Sequence, residues 1–316
     1  MSNINREDLH IISKHSDLSE NDIVTILKSN VYNDATAWSK FLKLFFISLG
    51  ISFTTAGVLF FFAYNWDELH KFYKIGIIEG LIILMTGTLL LVKTNETVKN
   101  IILTGASIMV GVLFAVFGQI YQTGANAYDF FFGWTMAITL WVLISNFEPL
   151  WLLFLVLINT VLILYSEQVA ADWQETFLSL LLFTVNTLFL IVSIYISKIK
   201  KTKSESWFTN LIALAACVFA TIGISIGIFD DIDSSFTALI LIVLLSYSLG
   251  IWFGHQSKNI FYFAIVAFSG IIIITSLLIK ASSDEAMIFL ISLFIIASVT
   301  GTIKYLIDLQ KKWNHA

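Results

Sequence analysis

The chain has 316 residues, of which 58% are hydrophobic and 13% charged, with a formal net charge of −4 and a mean hydropathy of +0.86. A soluble globular protein carries roughly a quarter charged residues, so half that fraction leaves no surface suited to water beyond short loops and ends. The weak negative charge gives no footing for a nucleic-acid partner, and one cysteine, Cys217 in an apolar run, excludes an intrachain disulfide and a zinc ribbon.

Residues 1–43 are polar or mixed and read as a helical segment on the cytoplasmic side. A cleavable signal needs a basic start followed at once by an apolar core, so this segment is expected to belong to the mature protein. Ser19 followed by Asp22 forms a capping-box pattern opening a helix with Ile23, Ile26 and Leu27 on one face. Asp34 is expected to cap a further helix through Trp38, Phe41 and Leu42 that runs into the first span. Such helices are suited to rest on a membrane surface or to bind a protein partner.

Ten apolar segments follow, at about 44–64, 72–92, 101–120, 130–145, 150–165, 176–196, 208–229, 236–253, 260–279 and 286–306. About twenty apolar residues cross a bilayer as a helix, so the expected fold is an all-α polytopic membrane bundle. The fourth and fifth segments are short, and Pro149 stands where a helix start tolerates it. A re-entrant pair there would give eight spans. The chain divides by pattern into 1–43, a first transmembrane half at 44–165, and a second half at 166–316. Five spans in each half would permit an inverted repeat, although no motif recurs between the halves.

Lysine placement orients the spans. With the N-terminus inside, Lys40, Lys43, Lys93, Lys99, Lys198, Lys200, Lys201, Lys203, Lys258, Lys304, Lys311 and Lys312 lie on the cytoplasmic side, against Lys71, Lys74 and Lys280 outside. That asymmetry predicts both termini in the cytoplasm. Three small-xxx-small pairs, Gly76/Gly80, Gly223/Gly227 and Gly250/Gly254, predict close helix approaches within the chain.

The common catalytic patterns fail on context. Gly223-Ile224-Ser225-Ile226-Gly227 matches G-x-S-x-G, but a nucleophile elbow needs a strand and a sharp turn, and this run lies inside a span. Tyr128-Asp129 has no second aspartate motif to share intramembrane proteolysis. His10, His15, His70, His255 and His315 all lie in loops or ends, without metal-site spacing. No catalytic group, cofactor or metal is therefore expected.

What remains is a convergence of polar residues on the outer leaflet. Asn65, Trp66 and Asp67 end the first span, Gln119, Tyr121 and Gln122 end the third, and Asp129 and Trp134 begin the fourth. Glu79 sits about 10 Å into the second span at the helix rise, flanked by Gly76 and Gly80. An intramembrane carboxylate is costly and usually faces protein or water. Two readings follow: Glu79 hydrogen-bonds Gln119 or Tyr121 and fixes helix packing, or it carries a proton or cation in an outward-facing polar site.

The same residues carry a family likeness. Ala63-Tyr64-Asn65-Trp66-Asp67 and Gly118-Gln119-Ile120-Tyr121-Gln122 resemble the A-x-N-W-D and G-Q-x-Y-Q signatures of the bacterial predicted-membrane-protein family called domain of unknown function 2157, over roughly residues 5 to 165. The resemblance implies a bacterial inner-membrane protein and brings no activity with it. The partners expected are the lipid bilayer, a small solute or ion if the chain is transporter-like or channel-like, and a protein at the N-terminal segment if it is a scaffold or sensor.

Overall fold

The computed structural model describes residues 12–15, 19–28, 35–64, 68–91, 93, 95–121, 124–200, 206–230, 232–281 and 285–314. Among these residues the chain is helical and has no strand. The helices are α1 (Glu20–Ile26), α2 (Ala35–Tyr64), α3 (Lys71–Leu91), α4 (Glu96–Tyr121), α5 (Ala127–Ser145), α6 (Glu148–Gln168), α7 (Glu175–Lys200), α8 (Ser206–Phe229), α9 (Ser234–Gln256), α10 (Ile260–Ala281) and α11 (Glu285–Asn314). Ten of them, α2 to α11, are long and apolar enough to cross a membrane.

The short fourth and fifth segments are full helices. α5 has 19 residues and α6 has 21, about 28 Å and 31 Å at the helix rise, so each is long enough to span by itself. A tight link joins them: Asn146 ends α5 in the left-handed conformation at φ 47°, and Pro149 sits in the first turn of α6. Asparagine tolerates that conformation better than most residues, and proline gives up no helical hydrogen bond at that point. Asp34 lies outside the described residues. The capping box of α1 forms as the sequence predicts, the Asp22 amide donating to Ser19 Oγ at 3.3 Å and the Ser19 amide to Asp22 Oδ2 at 3.2 Å.

The chain separates into two compact units, Met1–Tyr121 and Gln122–Ala316. In the first, α4 packs against both α2 and α3. Gly105 lets this happen: a Cβ there would meet Ile51 Cγ2 of α2 at 2.5 Å and Met85 Cε of α3 at 2.8 Å. The core around it is Phe62, Ile78, Met109, Val112 and Val116.

In the second unit α8 is the common neighbour, packing on α6, α7, α9 and α10. Its small residues permit this. Gly223 faces Ser179 of α7 and Leu239 of α9, and Gly227 lies against the Phe236 ring. Phe183, Ala216, Ala220, Ile224, Ile228, Phe236, Leu239 and Val243 close the core there. Asn159 of α6 and Asn186 of α7 exchange amide hydrogen bonds at 3.2 and 2.7 Å, and Asn186 is fully buried. At another helix end Asp233 caps α9 through the Phe236 amide at 2.6 Å and accepts from Thr176 Oγ1 at 3.3 Å.

Candidate functional site

The glycine pairs divide by use. Gly223 and Gly227 both lie at close approaches. Gly254 meets Tyr262 and Phe263 while Gly250 meets nothing within 4 Å, and Gly76 and Gly80 both face open space. The Gly250/Gly254 pair therefore packs by half, and the Gly76/Gly80 pair leaves a bare strip on α3. Glu79 stands beside that strip. α3 buries Lys74 and Ile78 one turn apart, at 7% and 0% exposure, whereas Gly76, Glu79, Gly80 and Ile83 are exposed. Glu79 lies about 12 Å along α3 from Lys71 at the helix rise, close to mid-span in a helix of 21 residues.

The other candidate residues of the first unit meet at the end of that hairpin. Tyr121 ends α4 with its ring 4.6 Å from that of Phe117 and 5.8 Å from the Lys71 ammonium at the start of α3. This puts the start of α3 beside the end of α4. Gln119, two residues before Tyr121 on α4, is exposed. Among the described residues no hydrogen bond joins Glu79 to Gln119 or Tyr121, so the packing role considered for it has no contact of that kind. Asn65, Trp66, Asp67 and Gln122 lie outside the described residues.

Asp129 belongs to the second unit and is engaged at its own helix start, accepting from the Asn126 amide at 3.1 Å. Beside it the Tyr128 amide donates to Gln168 Oε1 at 3.0 Å, and the Tyr128 and Tyr165 rings meet at 5.3 Å. These contacts tie the start of α5 to the end of α6. The G-x-S-x-G run is continuous α8, and Ser225 receives a hydrogen bond from Ser276 at 3.3 Å.

That last contact belongs to a polar seam between α8 and α10. Asn259 bonds Asn210 at 3.1 Å, Cys217 Sγ donates to the Ile265 carbonyl at 3.3 Å, Thr221 and Ser269 stand 2.7 Å apart, and Lys280 donates to the Ile228 carbonyl. Partners are offset by 48 to 52 residues throughout, so the two helices run in the same direction. From Asn210 to Ile228 the seam covers about 27 Å, close to the roughly 30 Å of a hydrocarbon core. Tyr247 of α9 joins at mid-seam, 2.6 Å from Ser269 Oγ.

Residues 19–151 match the family model described as Predicted membrane protein (DUF2157). The match takes in α1 to α5 and the first turn of α6, and with them Glu79, Gln119, Tyr121 and Asp129. It is narrower than the stretch over which the two signatures suggest a likeness, and it stops before the α8–α10 seam. No curated protein and no solved structure matches the chain.

Proposed function

We propose that this multi-pass membrane protein moves a proton or a small cation, with Glu79 as the group that takes it up from an outward-facing polar site. The observation that carries this reading is the state of Glu79. It is exposed near mid-span, beside two glycines with open space above them, and no described residue holds it by hydrogen bond or ion pair. Intramembrane carboxylates commonly mark ion pathways and proton relays, and no described partner competes with an ion for this one. In this reading Gln119 and Tyr121, at the end of α4, form the outer mouth. Both termini face the cytoplasm of a bacterial cell, as the lysine distribution supports.

The test is flux into proteoliposomes that hold the purified chain, read with a pH-sensitive dye and with sodium and potassium indicators. Wild-type protein should pass one of these ions, and Glu79→Gln should abolish the flux at an unchanged melting temperature. Absence of flux from wild type, or full activity in Glu79→Gln, would rule the reading out.

A second reading, a membrane scaffold or sensor that captures a partner through its N-terminal helices, draws support from α1. That helix is capped yet buries none of its residues, and Val24 on it is exposed. Deleting residues 1–34 would leave ion flux intact under the first reading and abolish partner capture under the second.

A further inference from the structure

One end of the second unit joins four helices through aromatic rings. The Lys198 ammonium of α7 lies 5.9 Å from the Phe253 ring of α9, which meets Tyr262 of α10 at 5.4 Å. Trp313 of α11 closes the other side, 5.7 Å from Phe263 and 6.0 Å from His255. Trp and Tyr gather where bilayer meets water, so this ring cluster marks the depth at which lipid headgroups lie.

The charges there are one-sided. Lys198, Lys258, Lys304, Lys311 and Lys312 stand at this end. Among the described residues of α7, α9, α10 and α11 here, Asp308 is the one carboxylate. None of the five lysines forms an ion pair with a described carboxylate. An open groove of about 390 Å³ runs along α11 within the patch, lined by Thr300, Ile303, Lys304, Ile307, Asp308 and Lys311. Its lining alternates ammonium groups with isoleucine side chains along a single helix face.

From that juxtaposition we infer that the groove on α11 is a binding site for an anionic phospholipid, its phosphate taken by Lys304 and Lys311 and its acyl chain lying on Ile303 and Ile307. The apolar lining favours a lipid over a free anion, and the uncompensated lysines favour an anionic headgroup over a zwitterionic one. Asp308 opposes the phosphate and sets an upper limit on the site's affinity. The site lies outside the segment matched by the family model and is independent of Glu79.

Native mass spectrometry of the full chain, released from nanodiscs of equal phosphatidylglycerol and phosphatidylcholine, tests this. Wild type should retain phosphatidylglycerol at least fivefold over phosphatidylcholine. The Lys304→Gln/Lys311→Gln double variant should lose that preference, and Lys304→Arg/Lys311→Arg should keep it. A Lys93→Gln/Lys99→Gln control in the first unit should behave as wild type. Asp308→Asn should raise retention, an outcome that misfolding cannot imitate. Equal retention of the two lipids by wild type, or an equal loss in the Lys93/Lys99 control, would overturn the assignment.

Discussion

The hydroxyls of Tyr247 and Ser269 lie 2.6 Å apart on neighbouring helices, and the direction of that hydrogen bond follows from the groups around it. Thr221 donates its proton to the Cys217 carbonyl at 2.6 Å, so its contact with Ser269 must be donated by Ser269. Tyr247 is then the donor to Ser269. Cys217 gives its own proton to the Ile265 carbonyl, and a thiol has only one to give. The chain of donation therefore runs Tyr247 to Ser269 to Thr221 to backbone. The cluster is a satisfied seam that holds α8, α9 and α10 together, and it leaves no spare proton to pass along.

Replacing Ser269 by Ala removes the acceptor for Tyr247 and the donor to Thr221 together. Side-chain hydrogen bonds between membrane helices are worth roughly 0.5–2 kcal/mol. Ser269→Ala should lower stability by about that amount in a reversible unfolding assay in mixed micelles. A double-mutant cycle with Thr221→Ala should return a positive coupling, and strict additivity would show that the seam is not acting as one unit.

Glycine substitutions should sort by surroundings rather than by motif. A Cβ on Gly227 would meet Phe236 Cε2 at 2.6 Å, and one on Gly223 would meet Leu239 Cδ2 at 2.8 Å. Overpacking of this kind costs roughly 1–3 kcal/mol, so Gly227→Ala and Gly223→Ala should melt early. Gly80→Ala and Gly250→Ala meet nothing within 4 Å and should stay within about 0.5 kcal/mol of wild type. Similar losses at all four positions would mean that Gly80 and Gly250 have partners after all.

Acid should loosen α1 before any span. The Ser19 hydroxyl, with the Ser19 amide behind it, holds the Asp22 carboxyl below its ordinary 3.8. A carboxylate depressed by folding adds stability above its unfolded pKa, and that contribution is lost as pH falls through the depressed value. Amide exchange over residues 19–26 of the intact chain should therefore gain protection above about pH 4 and lose it below. Ser19→Ala should remove that pH step, and a step that persists in the variant would assign it to another group.

Glu79 should trade stability against activity. A charge at mid-span is unfavourable by roughly 2.5–3.5 kcal/mol on insertion scales. Glu79→Leu should then raise the melting temperature while ending ion flux, the pattern expected where a strained group is kept for function. A fall in melting temperature would instead show that Glu79 holds the fold together.

Much of the fold was legible because a bilayer leaves so few options: a run of apolar residues ending at Tyr64 or Tyr121 must be a helix. The Ser19–Asp22 box and the tolerated place of Pro149 were equally local, and both are seen. Packing partners were not legible. Gly76/Gly80 and Gly223/Gly227 share one spacing, yet only the second pair finds close neighbours, because what surrounds a helix face is decided by chain segments far away. Lys74 counts among the outer-side lysines in the sequence, and it is buried in α3. The α8–α10 seam did leave a trace, since Asn210, Cys217, Thr221 and Ser225 repeat along one helical stripe. Hydroxyls that bond their own helix are common in spans, however, and the stripe gains meaning only beside Ser269, Ser276 and Lys280.

The offset of about fifty residues along that seam bears on how the protein is made. Helix α8 leaves the ribosome before α9 and α10 exist, so for a time its polar stripe has only lipid beside it. Thr221 tolerates that interval because its hydroxyl already bonds the Cys217 carbonyl one turn back. Ser276 likewise has the Ile272 carbonyl within reach at 3.1 Å. Each helix can thus enter the membrane self-sufficient, and the pairing of α8 with α10 can wait for a later step. Translation order, rather than affinity alone, would then decide when the second unit locks.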